Sequence, residues 1–383
     1  MRFEAISIDQ FAEGVSGIYR DVELASDPSY KWMQIINDVT IVSEEIRRKR
    51  DDEAVDRLMK VLTRVVEFVG FYLSLDGDQP RTWPEYLAHH FRRPTHRDVL
   101  PGEQPREGIS RWVLSKYPLS CSKCGARGER LLVGPCECLL RPWIFEERRE
   151  KPKAFDDFRV RVKDNRDHLE ERIAANASYF VGSEFSLVGL IRFFFDVYRN
   201  AYYVADPWRT AMHLIEEVGE VTAQLSRLNL LFVLGNGLRA TDKIWDSIAL
   251  DAIGRLEIHG AQLPEDKLRV LVDAEIAPLR AHEHPVDAIG ALTAEKLKEE
   301  LADVFSWIAA LLVQLHDKRK PLEADAVTFL LIKPKNNQAY MRKIGAGGRF
   351  VFQCKWCGKE SCSDACLVSN AVGAEVFEKI VKM

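Results

Sequence analysis

The chain has 383 residues, enough for more than one hydrophobic core, with 46% hydrophobic and 29% charged residues, the balance of an ordinary water-facing globular protein. A net charge of −4 and a pI near 6.2 exclude a surface that grips nucleic acid over its whole extent. The opening "MRFEAISIDQF" lacks the apolar run of a secretion signal, and the longest apolar stretch, "VFSWIAALLV", falls short of the ~20 residues of a membrane span, so the cytoplasm is the expected compartment.

Taken in chain order, apolar residues recur at helical period over 31–48, 53–75, 156–174, 185–203, 208–232 and 294–317, which predicts a mainly α protein. Two of these helices open on "SDPSYKW" and "ADPWRTA", where Asp caps and Pro suits the first turn. A third opens on "LTAEKLKEEL" with Thr293 as expected N-cap. Strand-like text is confined to "RLLVG", "RLEIHG" and "GRFVFQC", and the charged, Pro-flanked 141–153 reads as a linker.

The eight cysteines fall into two groups of four, Cys121, Cys124, Cys136, Cys138 and Cys354, Cys357, Cys362, Cys366. Each group is a complete tetrahedral thiolate set for a structural Zn²⁺, with Gly125 and Gly358 permitting a tight knuckle after the first pair. An iron–sulfur cluster is the alternative for the second group. Basic neighbours (Lys123, Arg127, Arg130, Lys355, Lys359) leave nucleic-acid contact open at these modules.

An internal repeat accompanies them. "YRDVELASDP" from Tyr19 matches "YRNAYYVADP" from Tyr198 at Tyr, Arg, Asp and Pro; each is followed by a helix with a Glu-Glu pair (Glu44, Glu45; Glu216, Glu217), a second acidic helix and a Cys-x-x-Cys-Gly. Either the helix pair is duplicated or the likeness is coincidental. Under duplication, the Glu-Glu register sets Arg48 opposite Glu220, which makes the first copy silent, since a guanidinium keeps its charge at any working pH.

The chemistry lies in the second copy. Glu216, Glu217 and Glu220 are three and four apart, and Glu300 and Asp303 are three apart, so each set shares one helix face beside apolar residues suited to packing. Five carboxylates brought together need cations, and hard oxygen donors select Mg²⁺ or Mn²⁺. Solvated helix surface is the bland alternative.

The pair "EEVGE" and "EELAD" resembles the EExxE…ExxD signature of the MazG-type all-α nucleoside triphosphate pyrophosphohydrolases, over roughly residues 185–340. The resemblance implies helical bundles of that type, formed by pairing of subunits, and hence an expected homodimer. It implies Mg²⁺-dependent hydrolysis of a nucleotide to monophosphate and pyrophosphate, with Glu216, Glu217, Glu220, Glu300 and Asp303 as ligands and catalytic groups. "IKPKNNQAY" is similar to the family's Lys…Asn…Tyr segment and implies Lys333, Lys335, Asn336 and Tyr340 near substrate; Trp208 is a candidate to stack on the base. The departure is the 79 residues between Glu220 and Glu300, where the family has a short connection. The organisation read is an N-terminal helical domain (1–118), a zinc module with linker (119–150), a catalytic helical domain (151–345) with an insert at about 235–290, and a C-terminal zinc module (346–383). The competing reading is a non-catalytic zinc-knuckle scaffold that contacts nucleic acid or a protein.

Overall fold

The computed structural model describes residues 6–23, 27–75, 82–92, 108–122, 124–126, 152–204, 206–235, 270, 285–315, 341–344 and 349–352. These are mostly helical. In chain order the helices are α1 (Ile8–Glu23), α2 (Pro28–Arg47), α3 (Asp51–Ser74), α4 (Trp83–Arg92), α5 (Ile109–Lys116), α6 (Pro152–Asp167), α7 (Leu169–Ala175), α8 (Leu187–Val204), α9 (Pro207–Gly235) and α10 (Pro285–Leu315). Two short antiparallel ribbons complete them: β1 (Phe180–Val181) with β2 (Glu184–Phe185), and β3 (Met341–Ile344) with β4 (Arg349–Phe352), the latter on the expected "GRFVF". No helix among the described residues is long and apolar enough to cross a membrane.

Local chemistry accounts for the helix starts. Asp27 accepts from the Ser29 amide at 2.6 Å with Pro28 in the first turn, and Asp206 accepts from the Trp208 amide at 3.2 Å ahead of α9. Reciprocal capping boxes start two helices whose periodicity did not reveal them. Ser7 and Gln10 cap α1, and Thr82 and Glu85 cap α4. The expected cap Thr293 is instead interior to α10, which begins eight residues earlier; its hydroxyl donates back to the Ile289 carbonyl at 2.8 Å. The predicted helix over 156–174 is broken at His168 into α6 and α7.

Four long helices form the centre. α2 packs on α3, α9 packs on α10, and the two pairs join through α2 on α9 and α3 on α10. Trp32, almost fully buried, pins one junction by donating its indole N–H to Thr222 Oγ1 at 2.9 Å. α1 lies on α3 and α8 on α10, so both trios, α1–α2–α3 and α8–α9–α10, share one order and one set of contacts. The residues leading into the outer helices, Ser7 and Ser186, form an antiparallel bridge with each other. Helices from both sides of residue 118 contribute to one continuous apolar core. The insert leaves after α9 and returns at α10 without parting that pair.

The α1–α3 contact is close because position 70 is glycine: a Cβ there would sit 2.4 Å from the Ala12 carbonyl oxygen. Backbone blocks it, so a helix must shift. Gly70→Ala is expected to cost about 3 kcal/mol, the upper part of the overpacking range, read as a lowered midpoint in denaturant unfolding.

Candidate metal centre

α9 and α10 meet through the apolar residues that flank the acids. Leu214, Val218, Val221, Leu301, Val304 and Phe305 are all buried. Helical spacing then fixes where Glu217, Glu220, Glu300 and Asp303 emerge, along the edge of that seam. Glu220 neighbours Glu300 while Glu217 reaches Trp307, so the helices run antiparallel. One carboxylate oxygen each from Glu217, Glu220 and Glu300 lie within 4.8 Å of one another. Segments 79 residues apart in sequence therefore converge, as the spacing predicts.

Two of the five expected ligands, Glu216 and Asp303, are not in that group of three. Glu216 is 63% exposed and turns back along its own helix to His213 Nδ1 at 3.1 Å. The reason is helical phase: adjacent residues sit about 100° apart, so Glu216 and Glu217 cannot both face α10. Asp303 faces the cluster but both its oxygens are engaged by protein donors, Oδ2 by Lys116 Nζ and Oδ1 by the Tyr117 hydroxyl. Lys116 also lies 3.8 Å from Glu300 Oε2 and donates to the Glu299 carbonyl at 3.2 Å.

Lys116 and Tyr117 were invisible in the sequence, since they approach Asp303 across more than 180 residues of chain. α5 carries them there. Its N-terminus is held by Asp9 of α1, which accepts from the Ile109 and Ser110 amides at 2.6 and 3.2 Å. Its C-terminus then abuts α10. A short helix followed by Lys-Tyr offered no spacing that marks a site.

The electrostatics show crowded negative charge. Burial first, then Asp303, pushes Glu217 up to about 8, against the opposing bond from Trp307 Nε1 at 3.1 Å. Burial and then Glu300 push Glu220 up to about 7. Burial, reinforced by Asp303, holds the Tyr117 phenol well above its ordinary value. Lys296 is buried enough to disfavour its charge, yet Glu300 at 2.5 Å outweighs that and raises its pKa. Two lysines thus offset part of the acidity, and Glu217 and Glu220 remain under-compensated.

A divalent cation fits this donor set. Octahedral oxygens at about 2.1 Å from Mg²⁺ lie roughly 3 to 4.2 Å apart, so Glu217, Glu220 and Glu300, within 4.8 Å of one another, would hold an ion once their side chains draw together and Lys296 gives up part of its hold on Glu300. All three donors are hard oxygens, which select Mg²⁺ or Mn²⁺ over zinc.

Trp208, the candidate stacking residue, stands 38% exposed in the first turn of α9. Lys333, Lys335, Asn336 and Tyr340 lie outside the described residues, as do Cys136, Cys138 and the whole second group, Cys354, Cys357, Cys362 and Cys366. Cys121 and Cys124 are buried. A turn closes around them: the Gly125 amide donates to the Cys121 carbonyl at 3.0 Å, and Gly125 takes φ +66°. Asn165 Nδ2 donates to the Gly125 carbonyl at 3.0 Å and docks the turn on α6.

The first helix pair differs from its expected register. α2 ends at Arg47, so Arg48 lies beyond the helix, paired with Glu44 at 2.6 Å, and Glu45 is paired with Arg50. Counting from the Asp caps gives a different register. Asp38 and Glu217 each fall eleven residues after their cap, and each faces its partner helix. On α3 the facing residues are Arg57, Lys60 and Arg64; on α10 Glu300, Asp303 and Trp307 hold the same i, i+3, i+7 positions.

The chain matches no protein-family model, and neither a curated protein nor a solved structure matches it. Its class, as the coordinates define it, is a mainly helical protein with an acidic cluster between two antiparallel helices.

Proposed function

We propose that the chain is a divalent-cation-dependent hydrolase of nucleoside triphosphates, yielding monophosphate and pyrophosphate, built on a duplicated helix pair of MazG-like type. One observation carries this reading: Glu217, Glu220 and Glu300, from distant segments, form a half-buried donor set with too little positive charge around it.

Glu217, Glu220 and Glu300 would hold Mg²⁺. When bound, the ion supplies Lewis-acid charge to phosphate oxygens and lowers the pKa of an attacking water. Trp307 fixes Glu217 Oε1, which leaves the other oxygen for a ligand or a water proton. Lys116 and Tyr117 hold Asp303 in one orientation beside the cluster, and Lys116 adds a fixed positive charge toward an incoming phosphate. Lys333, Lys335, Asn336 and Tyr340 enter as substrate contacts by resemblance alone. The cysteine knuckles enter as structural zinc modules, the first supported by the Cys121–Gly125 turn. Pairing of two chains is retained as part of the proposal.

The test is a panel of ribo- and deoxyribonucleoside triphosphates with Mg²⁺ or Mn²⁺, read as pyrophosphate release. Cation-dependent pyrophosphate from at least one nucleotide is expected. Release of orthophosphate instead, or no turnover with any of them, overturns the assignment and favours the non-catalytic scaffold.

A further inference from the structure

We propose that Arg57, Lys60 and Arg64, seated over Asp38 on α2 and α3, form a second ligand site that binds the phosphate groups of pyrophosphate or of a nucleotide's phosphate tail. The reasoning begins with the frame. Position eleven after an Asp cap is acidic in both helix pairs and faces positions i, i+3 and i+7 of the next helix, but i and i+3 are acids on α10 and bases on α3, and i+7 is Trp307 on α10 and Arg64 on α3. Where α9 and α10 gather carboxylates, α2 and α3 gather cations. A frame that suits a divalent cation when lined with acids suits a multivalent anion when lined with bases.

Neutralising Asp38 needs one cation, and three are present. Arg57 Nη1 stands 3.4 Å and Lys60 Nζ 3.1 Å from Asp38 Oδ1, with Arg64 Nη1 2.8 Å from Oδ2. The Asp38 side chain is 2% exposed, whereas Arg57, Lys60 and Arg64 are 35%, 32% and 23% exposed. The carboxylate is therefore a floor that aligns the three heads, and their outer edges face solvent. Two guanidinium groups and one ammonium bring far more N–H donors than two carboxylate oxygens and the Gln34 carbonyl, bonded to Arg64 at 3.1 Å, can accept. Unspent guanidinium forks match phosphate oxygens two at a time. Burial and then repulsion from Arg64 depress the Lys60 pKa.

The site shares no residue with the acidic cluster, so its test needs no catalysis. Inorganic pyrophosphate is titrated into the full chain by calorimetry without added divalent ions, with ATP and adenosine in parallel. Saturable pyrophosphate binding is expected, and adenosine should not bind. Lys60→Met should weaken pyrophosphate by about tenfold, the loss of one charge-assisted hydrogen bond. Asp38→Asn keeps the shape and removes the one opposing charge, so it should tighten binding. Opposite signs from two folded variants, checked by circular dichroism, are not what a merely structural ion network gives. Equal affinity for ATP and pyrophosphate identifies the free anion; tighter ATP identifies the nucleotide's phosphate tail. No saturable pyrophosphate binding, or binding unmoved by both variants, overturns the site. Mg²⁺-dependent hydrolysis could survive that result, and the anion site could survive its loss.

Discussion

Glu217→Gln is expected to lower cation-dependent pyrophosphate release by about 10²- to 10⁴-fold, the scale on which removal of a single acid–base group or charge acts. The amide keeps an oxygen that can accept from Trp307, so the seam between α9 and α10 should stay intact. What it loses is the negative charge that a divalent ion would meet. Glu216→Gln is the internal control, because that carboxylate faces solvent and His213 and should leave turnover close to wild type. In the metal-free protein above pH 8, Glu217→Gln should also raise the unfolding midpoint, since the ionised carboxylate is disfavoured there by burial. Steady-state pyrophosphate release and thermal unfolding of the three proteins check these outcomes. Wild-type turnover in the Glu217 variant, or equal losses at 216 and 217, would sink the ligand assignment.

The parts of this fold legible in the sequence were the ones set by local spacing. Asp-Pro at 27–28 and 206–207 marked helix starts because a cap and its proline act within one turn. The i, i+3 spacings of Glu217 with Glu220 and of Glu300 with Asp303 set each pair on one helix face beside apolar residues, and packing of those apolar residues brought the faces together. Glu216 failed on the same geometry, once the side facing α10 was known. Lys116 and Tyr117 were illegible because their role depends on where Asp9 anchors α5, a packing relation that no periodicity encodes. The Glu-Glu letters of the first helix pair lead to Arg48, which lies beyond the end of α2. Counting from the cap, the physical start of the helix, yields Asp38 and its ring of cations instead. α1 and α4 were missed although Ser7–Gln10 and Thr82–Glu85 carried capping boxes that could have revealed them.

Lys116→Met tests whether built-in cations hold the acidic cluster together. Removing one partner of a buried ion pair costs about 3–5 kcal/mol because the other charge is left uncompensated. Here Asp303 would lose Lys116 while remaining 15% exposed, and Glu300, 2% exposed, would keep only Lys296. The pH dependence follows from Glu217 and Glu220, whose folded values of about 8 and about 7 lie above their ordinary 4.5. Between these limits the folded protein holds more protons than the unfolded chain, so stability is full below about pH 4.5 and is lost as pH rises through 7 and 8. At pH 6 Glu217 and Glu220 are largely neutral, and the variant should lose only what the Lys116 pairs with Asp303 and Glu300 contribute. By pH 8.5 Glu217 and Glu220 carry more negative charge beside Glu300 and Asp303, and the loss should be larger. Mg²⁺ held by the folded cluster, as proposed, should restore stability at pH 8.5 far more than at pH 6. Denaturant unfolding at the two pH values, with and without Mg²⁺, decides the matter. A loss identical at both pH values and untouched by Mg²⁺ would mean that Lys116 serves packing alone and that the carboxylates do not act as one charged unit.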